Sequence, residues 1–138
     1  MNLAEEAFVN TFVRVDRRER ALFELGSESK RARFLNRLCH GYAGVFDARY
    51  LQPLLGAEDG ADLLNLLRKS GAGRTCHVIS HNDAVDGQQL PLEDAVRATA
   101  GFGLPSILIC APEALAYFEA EQEKGPPPRY LLVKSRGT

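Results

Sequence analysis

The chain lacks the features that would assign it quickly, and each absence excludes something. Its three cysteines, Cys39, Cys76 and Cys110, are odd in number and far apart. That is no disulfide framework and no Cys-based zinc pattern, and reduced thiols in a cytoplasmic, soluble protein are the simplest account. It lacks an excess of either charge, with 17 Lys+Arg against 18 Asp+Glu, so the total argues neither for nor against nucleic acid. No apolar run approaches the roughly 20 residues of a membrane span. The start, Met1-Asn2-Leu3-Ala4-Glu5-Glu6, has no basic segment followed by an apolar one, so no signal peptide is expected. Internal repeats, an interdomain linker, a Ser-His-Asp order and an HExxH spacing are also missing. No membrane partner and no cofactor are expected.

What is present suits one globular domain over residues 1–138, with a helical half over about 1–70 and a sheet-containing half over about 75–138. Apolar residues make up 45% of the chain, enough for a core without metal or disulfide. Asn2 with Glu5 resembles a capping box, and Phe8, Phe12 and Val15 recur at helical spacing, predicting a helix over 3–14. Asp16 with Glu19 offers a second box. A bend near Asp16 and a second helix ended by Gly26 follow, with one continuous helix to Leu25 as the competing reading. Ser27 is placed to cap a helix over 28–40, and Gly41 to end it in a left-handed conformation. Residues 41–57 read as irregular, anchored by Tyr42, Val45, Phe46, Tyr50 and Leu51. Asp59 opens a fourth helix carried by Leu63, Leu64, Leu66 and Leu67.

The stretch Thr75–Ala111 organises the rest. Thr75–Ser80 reads as a strand, Asp86-Gly87 as a turn, and Leu92, Ala95, Val96 and Thr99 as one helix face with Pro91 at its start. Ser106–Ala111 is a second apolar run of strand length. Strand, helix, strand predicts a β-α-β crossover with the two strands parallel. Residues 112–123 have helix propensity, but a strand through Leu115–Phe118 is preferred, because two strands need neighbours. Arg129–Lys134 is the last strand. The expected fold is α+β: a helical N-terminal half packed on a small mixed β-sheet of three to four strands. Its core would contain Phe8, Phe12, Leu22, Phe34, Leu38, Leu63, Leu67, Val78, Val96, Ile107, Ile109 and Leu132.

Two clusters could carry function. His77, His81, Asp83 and Asp86 fall where the first predicted strand gives way to a loop, the usual place for ligands in parallel sheets, and imidazoles with carboxylates can hold a divalent ion. On a straight strand, however, His77 and His81 lie about 13 Å apart at a rise of ~3.3 Å per residue, so the loop would have to fold back. The simpler account has His77 packing at a sheet edge and the aspartates bonding their own turn. Cys76-His77 and Cys39-His40 are not dyads, because neighbours in a strand or helix diverge. The second cluster is basic: Arg14, Arg17, Arg18, Arg20, Lys30, Arg31, Arg33 and Arg37 lie among the acids Asp16, Glu19, Glu24 and Glu28. Arg14, Arg17, Arg18, Arg31, Arg33 and Arg37 are the candidate basic face, on two helices that could read nucleic acid or stand as a solvated surface.

No catalytic residue is assigned, and whether the chain is an enzyme is left open. The preferred reading is a non-catalytic protein-binding or regulatory domain, with a protein partner or a second copy on the helical half, where Tyr42, Phe46 and Tyr50 and the arginines are interface-prone types. The alternatives are a metal-dependent, hydrolase-like enzyme using the His77–Asp86 loop and a nucleic-acid-binding domain using residues 14–37.

Overall fold

The computed structural model describes residues 2–54, 60–122 and 127–134. Among these residues the α-helices are α1 (Leu3–Phe12), α2 (Arg18–Leu25), α3 (Arg31–Gly41), α4 (Gly60–Lys69) and α5 (Leu92–Thr99). The strands are β1 (Leu51–Pro53), β2 (Thr75–Ser80), β3 (Gln89–Pro91), β4 (Ser106–Ala111), β5 (Leu115–Glu119) and β6 (Arg129–Val133). They form one sheet in the order β1-β6-β5-β4-β2-β3, and every neighbouring pair is antiparallel.

This corrects the expected mixed sheet of three to four strands with one β-α-β crossover. β2 and β4 are direct antiparallel neighbours, with Val78 opposite Leu108 and Ile79 opposite Ile107. The element hidden from the sequence is β3. It has three residues and ends in Pro91, and it turns the chain back along β2 before α5 begins. Helix α5 therefore connects β3 to β4, which flank β2 on opposite sides. At the other edge, β1 also has three residues and ends in proline, in a stretch expected to be irregular. A strand without an internal alternation has no period to detect.

Both faces of the sheet are covered. Ile79, Ile107, Ile109, Ala116, Phe118 and Leu132 pack against α1, α2 and α3. Cys76, Val78, Leu108, Leu115, Tyr117 and Leu131 pack against α4 and α5. Antiparallel sheets commonly leave one face to water and show alternation; here both side-chain sets along β4 and β5 are apolar because both meet helices. All twelve expected core residues are buried except Leu22, which is partly buried against the α1–α3 layer.

The helix boundaries have local causes. Asn2 caps α1, its Oδ1 accepting from the Glu5 amide at 3.0 Å. The bend near Asp16 is a 3-10 turn over Val15–Arg17. Asp16 does not cap α2; its carboxylate takes Arg14 at 3.2 Å. The third helix begins at Arg31 rather than 28, without a side-chain cap, and Gly41 ends it at φ −145°, not left-handed. Asp59 lies outside the described residues. Strand β5 is present where a helix was the alternative, because β4 and β6 hydrogen-bond it on both sides.

Tyr42, Phe46 and Tyr50 belong to the interior rather than to an exposed interface. Phe46 meets Phe8 and Phe118 edge-on, at centroid separations of 6.2 and 5.0 Å. Tyr42 stacks obliquely on Phe118 and Tyr130, and its hydroxyl lies 2.8 Å from that of Tyr130.

Candidate functional site

Glu5, Phe8, Val9 and Phe12 share one face of α1, and all four are buried. A carboxylate on that face must be compensated, since an uncompensated buried charge is costly. The compensation comes from α3 and β2. Arg31 donates from Nη1 to Glu5 Oε1 at 2.7 Å and from Nη2 to Glu5 Oε2 at 2.9 Å. It also donates to Asp86, from Nε at 2.9 Å and from Nη2 at 3.0 Å, and to the Leu25 carbonyl at 3.0 Å. His77 Nε2 sits 2.6 Å from Glu5 Oε2. Asp86 in turn accepts the Ser80 amide at 2.9 Å. Burial alone would raise the Glu5 pKa, but hydrogen bonds from His77 and Arg31, and the Arg31 charge, outweigh it and hold the carboxyl below its ordinary range. Burial likewise works against the Arg31 charge, and its bonds to Asp86 and Glu5 overcome it, so its pKa is raised.

The loop cluster therefore divides. His77 and Asp86 are brought together, but through Glu5 and Arg31. His81 is half-buried, with its amide donating to the Pro105 carbonyl at 3.1 Å, and Asp83 is exposed. The position that a metal would need between the acids already holds a guanidinium. Among the described residues no group of three or more His, Cys, Asp or Glu could hold a metal ion. The crevice expected at the ends of parallel strands also disappears, because β2 and its neighbours are antiparallel.

Two further buried carboxylates follow the same logic. Glu24 lies on the buried side of α2 with Ala21 and Leu25. Both terminal nitrogens of Arg37 bond it, and Arg20 Nε approaches at 3.7 Å. Glu119, fully buried in β5, stands opposite Arg129 of β6 in register. It accepts the amides of Gly101 at 2.8 Å and Gly103 at 3.0 Å and the Tyr117 hydroxyl at 2.9 Å, with Arg129 Nε at 3.3 Å. Glu5, Glu24 and Glu119 were not singled out as buried anchors from sequence. Helical spacing was the available signal for the first two: each sits among apolar residues on its own helix face.

The candidate basic face is partly consumed by these contacts. Arg31 turns inward, Arg37 holds Glu24, Arg14 pairs with Asp16 and Arg18 donates from Nε to the Val13 carbonyl at 2.9 Å. Arg17 and Arg33 are exposed and form no ion pair among the described residues. Phe23, 59% exposed, lies on the same pair of helices, with Lys30 Nζ 4.4 Å from its ring centroid. A cleft of about 340 Å³ opens between α2, α3 and the turn after α3, lined by Arg17, Arg20, Arg37, Phe34, Gly41 and Gly44, with Ala21 and Val45 completing it.

The cysteines are free. Burial pushes the Cys76 thiol up to about 12 and raises Cys110 further; burial also raises Cys39. At neutral pH all three are thiols, poor nucleophiles. The side chain of His40 lies outside the described residues. Among the described residues no helix is long and apolar enough to cross a membrane. No protein-family model, no curated protein and no solved structure matches this chain.

Proposed function

We propose that this chain is a non-catalytic protein-binding domain that meets its partner on the outer surface of α2 and α3. One contrast carries the reading. The buried carboxylates Glu5, Glu24 and Glu119 are each saturated by partners within the fold. By contrast, Arg17, Arg20, Arg33 and the ring of Phe23 face outward on α2, its N-cap and α3. Arginine and aromatic side chains are enriched in interfaces and supply much of their binding energy. The partner that fits is a protein surface with acidic side chains around an apolar contact. A cytoplasmic setting belongs to the same proposal: three unpaired cysteines suit a reducing compartment.

The test is affinity capture from nuclease-treated extract, followed by calorimetry with the purified captured protein. The wild-type chain is compared with Arg17→Glu/Arg20→Glu and with Arg68→Glu/Arg74→Glu, which alters cations elsewhere on the surface. The proposal expects binding to fall at least about tenfold in the first variant only, a loss of about 1.4 kcal/mol or more. Equal binding by both variants, or capture that nuclease abolishes, would overturn it.

A further inference from the structure

The cleft between α2, α3 and the following turn is built for something smaller than a protein surface. Its volume of about 340 Å³ lies at the lower end of the ~300–1,000 Å³ usual for small-molecule pockets. Its walls are of two kinds. Phe34, Ala21 and Val45, all part of the core, give an apolar side, and the guanidinium-bearing Arg17, Arg20 and Arg37 give a cationic one; among the described residues no carboxylate-bearing residue lines it. Glu24, the nearby acid, is engaged by Arg37 and approached by Arg20; one carboxylate against three guanidinium groups leaves the wall net positive.

Glycine supplies the second observation. Gly41 and Gly44 both line the cleft. Neither has a positive φ, and a Cβ at either would meet nothing within 4 Å. Backbone geometry and crowding therefore do not require glycine at these positions. The effect of having no side chain there is that the wall stays open.

We infer that this cleft binds a small amphipathic carboxylate, its apolar part against Phe34, Ala21 and Val45 and its carboxylate against Arg17 and Arg20. Guanidinium groups bind carboxylates through paired, charge-assisted hydrogen bonds, and an apolar body makes the site selective against simple inorganic anions. The inference shares Arg17 and Arg20 with the protein-partner reading, but decanoate binding to the purified chain and the Gly44→Leu variant are read without any partner, so either can fail alone.

The probe is decanoate, kept below its micelle-forming concentration and titrated into the full chain while amide NMR shifts are followed. Decanol, with the same chain and no charge, is the parallel probe. Saturable shifts confined to residues 17–21 and 34–45 are expected, with decanol at least roughly tenfold weaker, as loss of one charged contact implies. Two variants test the walls separately: Gly44→Leu, which adds bulk at an open position, and Arg17→Ala/Arg20→Ala, which removes exposed cations. Arg37 is left intact, because its loss would strand Glu24. Each variant should keep the wild-type melting temperature and lose decanoate affinity roughly tenfold. Absence of saturable binding, equal binding of decanol, or undiminished affinity in both folded variants would overturn the inference.

Discussion

Arg31 and Asp86, 55 residues apart, are joined by two parallel hydrogen bonds, Nε–Oδ2 at 2.9 Å and Nη2–Oδ1 at 3.0 Å. Through the same guanidinium, Glu5 of α1 and the Leu25 carbonyl are tied to the β2–β3 loop. The helical layer is thereby positioned on the sheet by a polar contact as well as by the core. A fork-shaped donor that meets two carboxylates is not replaceable by a point charge.

Substituting Arg31 should therefore be among the most damaging changes in the chain. Arg31→Ala leaves Glu5 buried without its principal cation, and breaking one side of a buried pair costs about 3–5 kcal/mol. Arg31→Lys should recover only part of this. Urea unfolding of the three proteins gives the comparison; a loss under about 1 kcal/mol for Arg31→Ala would show that the contact is incidental.

The same network predicts a pH dependence. The folded pKa of Glu5 is depressed below its ordinary value of 4.5. Its ionised form thus contributes stability above about pH 4.5, and that contribution is lost as pH falls through the lower folded value. Glu5→Gln removes this titration. The stability gap between wild type and Glu5→Gln should be widest near neutral pH and narrow as pH falls below about 4.5. A constant gap across that fall would contradict the ion-pair account.

Glu119 and Gly103 should behave as a unit. Gly103 has φ +71°, and a Cβ there would lie 2.5 Å from Gln122 Cβ. Gly103→Ala should cost about 1–3 kcal/mol from backbone strain and overlap. Glu119→Ala should cost a comparable or larger amount and expose the Gly101 and Gly103 amides to rapid hydrogen exchange. Gly41→Ala provides the contrast, since nothing crowds it and its φ is not positive; it should lie within about 1 kcal/mol of wild type. Thermal unfolding of the three variants separates the cases.

How much of this was legible in the sequence depended on period. The faces of α1 and α5, the strand at Thr75–Ser80 and the run at Ser106–Ala111 all carry repeated apolar positions, and they fold as those positions predict, except that α1 stops at Phe12 and Val15 falls in the next turn, exposed. Strand direction does not follow from such spacing. Gln89-Leu90-Pro91 has no alternation to betray a strand, and its presence reverses the relation of β2 to β4. At the candidate site, His77 and Asp86 were found for their residue type. Their connection was not legible, because the joining groups, Glu5 and Arg31, come from distant helices and looked like a helix-capping acid and a surface base. Glu24 and Glu119 were missed for the same reason: a carboxylate among apolar neighbours marks a buried partner without naming it.

The protein-binding reading is tested most directly by amide hydrogen exchange of the chain with and without the partner isolated by affinity capture. The account predicts slowed exchange over residues 17–37, on α2 and α3, with the β2–β3 loop and α4 and α5 unchanged. Protection centred instead on residues 81–87, or on the α4–α5 face, would contradict it.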